Sequence, residues 1–247
     1  MDCFAHFLNS ENLEFLNWSS LCGLHLSRLA EDLIIYSSQE FRLVRISDEF
    51  CTGSSLMPQK RNPDGLELVR GAAGLLLGDA FSLGSVLKGL PSTYNKDLQT
   101  DKELLFRSHD RLLECIKVII GTIATLEIDK ARALSLLDAN MLATDVAHEL
   151  VRRGVPFRRA HHHVGRLVCR ATELRCDLRT LPYEEYLSVC PEIGSEEELQ
   201  SLFSWEASVE QYRCEGGTAR AAVGRQLDAL SAWLGTAEGG NRLEGQS

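Results

Sequence analysis

Apolar residues recur at three- and four-residue intervals over most of the chain, and only six prolines interrupt them. This period is typical of amphipathic helices. In the first half it predicts three helices, over about 13–36, 63–87 and 100–126. They are long for an ordinary globular fold, and such wide apolar faces favour a helix bundle. Faces of this kind can also be buried between subunits, so an oligomer is expected.

The second predicted helix has a clear start signal. Asn62 is a good N-cap residue, Pro63 suits the first helical position, and Asp64 places negative charge at the positive end of the helix dipole. We therefore expect this helix to begin directly after a polar segment.

From about residue 137 the predicted helices become shorter, at about 140–153 and 156–174. Ser195 to Glu198 matches a capping box, and Thr218 could cap a last helix. The predicted fold is all-α, a long-helix bundle followed by a small helical C-terminal domain. The expected divisions are a bundle portion, a small domain and a disordered tail: 1–137 (with a polar loop over 52–64), 138–234 and 235–247.

Composition narrows the classes of function. The chain has 247 residues and a formal net charge of −9, which argues against a nucleic-acid-binding surface. No apolar run approaches the ~18–20 residues of a membrane span, and the N-terminus lacks the basic start of a signal peptide. Eight scattered cysteines without a C-x-x-C pair are expected to be mostly small buried residues, with no metal site. We expect a cytoplasmic protein that binds neither nucleic acid nor membrane.

Candidate chemistry concentrates in the segment 52–64. Gly53 allows unusual backbone conformations, the hydroxyl of Ser54 follows it, and Lys60 and Asn62 stand six and eight residues further on. A hydroxyl, a fixed cation and amide donors before a helix N-terminus suit an anionic substrate, particularly a carboxylate. Composition alone favours the alternative, an ordinary turn followed by an N-cap.

A second polar segment, 89–102, follows the second predicted helix. Tyr94, Gln99 and Lys102 could reach a ligand from a loop and from the first turn of the next helix. The alternative is a solvated connection with helix caps.

The stretch from Gly53 to Asp64 matches the G-S-S-x-M-P-x-K-x-N signature of the fumarase/aspartase superfamily. Within it the chain resembles the argininosuccinate lyase and delta-crystallin family, over roughly residues 13–234. Gln59, followed by Asn62-Pro63-Asp64, favours this branch over fumarases and adenylosuccinate lyases. Other segments that look like the family are 29–33, 89–101, 141–145, 156–161, 208–212 and 216–220.

The resemblance implies reversible cleavage of argininosuccinate to arginine and fumarate, without a metal or an organic cofactor. It assigns Ser54 as the catalytic serine of the signature loop, acting as base or acid. Lys60 would stabilise the aci-carboxylate intermediate, and Glu67 matches a glutamate that pairs with the family's catalytic histidine.

The resemblance also implies substrate-binding positions and an assembly. Asn62, Tyr94, Gln99 and Lys102 match residues that bind substrate. The family is a homotetramer in which each active site takes residues from three subunits, so this chain is expected to assemble with copies of itself or with full-length subunits.

The family's catalytic histidine lies in a motif well upstream of the signature loop, and no such motif precedes Ser54. The chain therefore looks like the C-terminal half of a lyase, and we expect it to be nearly inactive alone. Its histidine triplet, 161–163, is expected to be solvated rather than a replacement. Residues 9–14 look like an insertion that would disturb the first helix. The alternative function is a non-catalytic, crystallin-like or subunit-associating relative.

Overall fold

The computed structural model describes residues 2–53, 55–57 and 59–244, with side chains described for 10–53, 55–57 and 59–235. The chain divides into two compact units, Met1–Leu136 and Leu137–Ser247. Helices dominate both units, which confirms the all-α prediction.

Three long helices build the first unit. Each packs on the other two, and a short fourth helix follows them. Their bounds are α1 (Asp2–Ser37), α2 (Asp64–Leu87), α3 (Asp101–Ala124) and α4 (Lys130–Ser135). The three long helices predicted from the apolar period are thus confirmed, but α1 begins at Asp2, eleven residues before its predicted start.

Long helices that are consecutive in sequence run antiparallel in this unit, so α1 and α3 run parallel. Leu16, early in α1, packs with Ala80 and Leu83 near the end of α2, and with Leu104 at the start of α3. A second apolar cluster forms at the opposite end of the unit; it contains Ala30, Leu33, Ile46, Leu66, Val69, Cys115 and Ile119. The apolar stripes therefore bury one face of each helix along its length.

Within the described residues of this unit, four two-residue strands, which the helical period did not predict, join the loops at one end. They are β1 (Val44–Arg45), β2 (Thr52–Gly53), β3 (Arg61–Asn62) and β4 (Glu127–Ile128). β1 pairs antiparallel with β4, and β2 pairs antiparallel with β3. Each strand is too short to show a period of its own, so sequence periodicity gives no signal for it.

Helix α1 passes without interruption through residues 9–14, so the expected disturbance of the first helix was wrong. Helix periodicity explains the outcome. Leu13 keeps the apolar face, packing with the cluster around Leu16, while Glu11 and Glu14 are exposed.

The second unit is a set of shorter helices around one apolar core. The core includes Val146, Leu150, Leu167, Tyr186 and Ile193, all fully buried. The helices are α5 (Ala143–Arg152), α6 (Phe157–Glu173), α7 (Tyr183–Val189), α8 (Glu196–Ser201), α9 (Trp205–Glu210) and α10 (Arg220–Glu244).

The helix caps of this unit were partly predicted. The capping box is confirmed: the Ser195 hydroxyl accepts from the Glu198 N–H, and the Glu198 carboxylate accepts from the Ser195 N–H. The predicted cap by Thr218 was wrong, because α10 begins at Arg220 and Ala219 therefore holds the N-cap position. The Thr218 hydroxyl donates to the Val209 carbonyl at 3.2 Å. Instead, the Glu210 carboxylate accepts from the Arg220 N–H at the start of α10. That helix continues to residue 244, through the segment from 235 that the sequence predicts to be disordered.

The cysteines are less buried than expected. Cys115 and Cys190 are buried, and Cys169 and Cys214 are exposed. The remaining described cysteines lie between these extremes. Most of the described cysteines are therefore not core residues, which corrects the prediction. None of the described helices combines the length and apolar character needed to cross a bilayer.

Candidate active site

The signature segment folds as a short hairpin directly ahead of α2. In its paired base, Thr52 lies opposite Asn62 and Gly53 lies opposite Arg61. Such pairing brings the two ends of the segment together and displays the residues between them. The hairpin is thus more than the turn and N-cap that composition alone allowed.

Side-chain contacts hold this hairpin to the rest of the unit. The Thr52 hydroxyl donates to the Asp64 carboxylate. Arg61 forms an ion pair with Asp48 and donates from Nη2 to the Ile46 carbonyl at 3.0 Å. These contacts, which brace the hairpin, were not predicted. Their only signal in the sequence is a threonine and an aspartate flanking the signature.

Two of the predicted site residues lie on the second arm of the hairpin. The Lys60 N–H donates to the Met57 carbonyl at 3.0 Å, which closes a turn, and the Lys60 side chain is exposed. Asn62 is half-buried in β3. The predicted catalytic residue Ser54 lies outside the described residues.

The start of α2 differs from the prediction by one residue. Pro63, rather than Asn62, occupies the N-cap position, and Asp64 is the first helical residue. The cause is the hairpin itself, because Asn62 pairs with Thr52 and so belongs to β3. Glu67 lies exposed on the first turn of α2, five residues beyond Asn62.

The second polar segment lies where the chain leaves α2 and enters α3. A 3₁₀ turn, Lys96–Thr100, runs directly into α3. Tyr94 is 50% exposed, and the side chains of Gln99 and Lys102 are also exposed. These three predicted residues therefore share one end of the unit and are open to a ligand.

The two groups of predicted site residues lie at opposite ends of α2. The hairpin precedes Asp64, whereas the second segment follows Leu87; 24 helical residues between them span about 36 Å. Helix α3 returns antiparallel, since the hydroxyl of Ser108, in its first third, donates to Asp79, in the second half of α2, at 2.8 Å. Lys102 therefore stays at the far end. One copy of the chain does not bring Lys60 and Lys102 to a common site.

A cavity of about 580 Å³ lies beside the base of the hairpin. Its lining includes Arg42, Arg61 and Lys130, together with Cys51. Burial raises the pKa of the Cys51 thiol, and Arg61 opposes this effect without cancelling it. The thiol therefore stays protonated at neutral pH. The predicted site residues in the described part of the chain do not line this cavity.

The histidine triplet lies on α6 in the second unit. His161 and His162 are exposed, as a solvated helix face predicts, while His163 is half-buried. Among the residues that the structure describes, no group of three or more metal-ligating side chains is placed to hold a metal ion.

Two family profiles match the chain. One, described as lyase, matches residues 8–78, and the other, described as argininosuccinate lyase C-terminal, matches residues 140–210. The chain is 46% identical over 218 residues to a probable argininosuccinate lyase of Schizosaccharomyces pombe. It is 50% identical over 213 residues to the argininosuccinate lyase of Chloroflexus aggregans. The chain belongs to the argininosuccinate lyase family.

Membership of the argininosuccinate lyase family makes this chain a relative of carbon–nitrogen lyases. The two alignments cover 88% and 86% of this chain, but 47% and 46% of the relatives. The chain therefore spans about half the length of the curated relatives it matches.

Two solved structures share the helical fold of this chain. A variant of EDDS lyase with bound fumarate matches 92% of this chain and 47% of its own, with a TM-score of 0.76 and 22% identity. Class II fumarase from Schistosoma mansoni matches 78% of this chain and 38% of its own, with a TM-score of 0.64 and 17% identity. At these identities the likeness supports the helical-bundle fold alone.

Proposed function

We propose that this chain supplies parts of an argininosuccinate lyase active site, which eliminates fumarate from argininosuccinate, leaves arginine, and also runs in reverse. The observation that supports this most is the braced signature hairpin. It displays Lys60 and Asn62 in a chain about half identical to argininosuccinate lyases.

The reaction begins when a base removes a proton from the carbon next to a substrate carboxylate. The electron pair moves into that carboxylate, giving an aci-carboxylate with two negative charges. The C–N bond then breaks: its electrons leave with the guanidino nitrogen, which takes a proton and becomes part of arginine. The carbon skeleton leaves as fumarate. Such an intermediate needs fixed cations and oriented donors.

Lys60 is the proposed cation for the aci-carboxylate. Ser54 is the proposed proton-transfer residue, as base or acid. A serine needs help to act as a base, and a nearby ammonium group lowers the cost of forming its alkoxide. Glu67 would orient the catalytic histidine that the resemblance to the family implies. Its exposed position on the first turn of α2 leaves it accessible to such a partner.

Asn62 at one end of α2, and Tyr94, Gln99 and Lys102 at the other, are the proposed substrate-binding residues. Because α2 separates them by about 36 Å, we propose that each active site combines the hairpin of one chain with the second segment of another. Homotetramers, or mixed assemblies with full-length subunits, would provide this combination.

Exposed apolar side chains support an assembly of this kind. Leu68, Phe81 and Ile120 are 74%, 77% and 62% exposed on α2 and α3. Large exposed apolar patches mark interaction surfaces on soluble proteins. We propose that helices of other subunits cover these faces. A cytoplasmic location stays a prediction from the sequence.

The test is fumarate release from argininosuccinate, followed by ultraviolet absorbance. We expect the purified chain alone to be nearly inactive, because one missing proton-transfer group already costs about 10²–10⁴-fold. The chain is then co-assembled with a full-length relative that lacks only its own signature serine. Rescue is expected with the parent chain and with Ser55→Ala, a matched neighbouring hydroxyl, but not with Ser54→Ala.

A second complementation pair tests whether sites are shared. Lys60→Ala and Lys102→Ala chains should each recover activity when co-assembled with a full-length subunit that lacks the equivalent residue of the other segment, because one mixed site then keeps both lysines. Mixtures in which both subunits lack the same lysine should stay inactive. Failure of both crossed mixtures to recover, recovery in the same-lysine mixtures, or Ser54-independent rescue would contradict the assignment.

The second candidate function is a crystallin-like or subunit-associating role without catalysis. The exposed apolar faces support it as well as they support the enzyme. The complementation assay separates the two candidates: a structural relative joins the full-length subunits, as size-exclusion chromatography would detect, and restores no fumarate release.

A further inference from the structure

A buried carboxylate stands at the first position of α3, beside the exposed Lys102. Asp101 is only 5% exposed. Its Oδ2 atom accepts a hydrogen bond from the Asn12 side-chain amide at 2.9 Å, and its Oδ1 atom lies 3.3 Å from the Lys102 ammonium nitrogen. The carboxylate thus joins α1 to the residue that sequence analysis singled out on α3.

Burial makes these contacts informative. Removing a carboxylate from water is costly unless hydrogen bonds and opposite charge replace its hydration. An acidic first residue also complements the positive end of the helix dipole. Neither the burial of Asp101 nor its position at the helix N-terminus explains why its two carboxylate oxygens have different partners. Here Asn12 occupies one oxygen, and the Lys102 ammonium is left with the other.

Asn12 belongs to residues 9–14, the segment that was expected from the sequence to disturb the first helix. These residues form part of continuous α1, so the helix carries Asn12 to the start of α3. A segment expected only to disturb the helix thus contacts the candidate site.

We propose that Asn12 and Asp101 are positioning residues for Lys102. Asn12 fixes the orientation of the Asp101 carboxylate from α1. The Lys102 ammonium has three N–H donors. One of them donates to Asp101, and the other two remain for an anionic ligand. The role of Lys102 as a ligand-binding residue rests on the proposed function, whereas the positioning contact does not.

The test measures the Lys102 ammonium group directly, on the whole chain labelled with ¹⁵N-lysine. The chain has six lysines, so their side-chain NMR signals can be assigned by single Lys→Arg substitutions. Asp101→Asn removes the charge, and Asn12→Ala removes only the amide. Asp97→Asn, an exposed aspartate on the preceding turn, and Asn17→Ala, an exposed asparagine on α1, are the matched controls.

We expect ammonium-proton exchange at Lys102 to accelerate by up to about fivefold in Asp101→Asn, the range for one solvent-accessible ion pair. Asn12→Ala should shift the same signal less, and Asn12→Gln should restore it partly. The two controls should leave it unchanged. If Asp101→Asn fails to fold by circular dichroism, Asn12→Ala still tests the proposal, because Asn12 is only half-buried.

A Lys102 signal that matches the parent in both Asp101→Asn and Asn12→Ala overturns the proposal. A wrong proposal for the function would give a different result. The Lys102 signal would then respond as expected, but Lys102→Ala would not change the activity of the co-assembled enzyme. If the positioning role and the proposed function are both correct, Asn12→Ala should raise KM for argininosuccinate more than it lowers kcat.

Discussion

Replacing Asp79 by asparagine would remove the charge at the centre of the contact between α2 and α3. Asp79 is 5% exposed. It accepts hydrogen bonds from Ser108 Oγ at 2.8 Å, Arg111 Nη1 at 3.1 Å and Arg107 Nε at 3.3 Å. A single buried carboxylate thus accepts hydrogen bonds from three side chains of the neighbouring helix.

The expected loss in the free energy of unfolding depends on which partners of Asp79 water can reach in the Asp79→Asn variant. Removing one partner of a fully buried ion pair costs about 3–5 kcal/mol. The side chains of Arg107 and Arg111 are 42% and 23% exposed, so both regain part of their hydration. Asparagine can still accept the hydrogen bond from Ser108. We therefore expect Asp79→Asn to lower the free energy of unfolding by about 2–3 kcal/mol, the scale of one hydrogen bond to a charged group.

Urea unfolding followed by tryptophan fluorescence measures this loss. Of the three tryptophans, only Trp18 belongs to the first unit, so Trp205→Phe and Trp233→Phe are introduced in every variant to make the signal report that unit. Glu114→Gln, at an exposed position on α3, is the control. A loss for Asp79→Asn within about 0.5 kcal/mol of that control, the usual range of surface changes, would refute the reasoning.

The same carboxylate predicts a pH dependence. Burial raises the pKa of Asp79, but hydrogen bonds from Arg107 and Ser108 and the charges of Arg107 and Arg111 outweigh burial and lower it below its ordinary value of 3.8. A lowered pKa in the folded state contributes stability above pH 3.8, and this stability is lost as pH falls toward the folded value. Unfolding free energies measured downward from pH 5 should thus fall more steeply for the parent than for Asp79→Asn.

Two further predictions concern packing and thiol reactivity. Gly121→Ala would place a methyl group directly onto the ring of Phe50, so we expect a lower melting temperature and a loss of about 1–3 kcal/mol. Gly74→Ala, in open space on α2, should be neutral or stabilise by up to about 1 kcal/mol. Burial raises the pKa of Cys190 to about 11, so an aromatic disulfide reagent at pH 8 should modify exposed Cys169 in the folded protein and Cys190 only after unfolding. Early modification of Cys190, detected by peptide mass, would contradict this.

The long helices were predictable because each carries its own local signal. A helix that buries one face must repeat apolar residues every three or four positions, and Leu66, Val69, Ala73 and Leu76 do so in α2. The capping box at Ser195 was equally local. The short strands were not predictable, since two residues cannot display a period.

The candidate site was predictable in its residue types but not in its geometry. The signature predicted a polar loop with Lys60 and Asn62, and both lie on the hairpin. The braces between Arg61 and Asp48, and between Asn12 and Asp101, link residues far apart in sequence. No local pattern specifies such pairs. Asn62 failed as an N-cap for the same reason, because its strand partner lies ten residues upstream.

The length of α2 explains why both candidate functions predict association. Because one copy places Lys60 and Lys102 at opposite ends of a helix about 36 Å long, the enzyme needs association to complete a site. The structural alternative needs association to cover its exposed apolar faces. Association alone therefore cannot distinguish them. What distinguishes them is whether a hairpin from one chain and a second segment from another converge on the same ligand. Only an enzyme requires the Asp101 contact to hold Lys102 ready there, since a structural relative could lose that contact without consequence for its apolar interfaces.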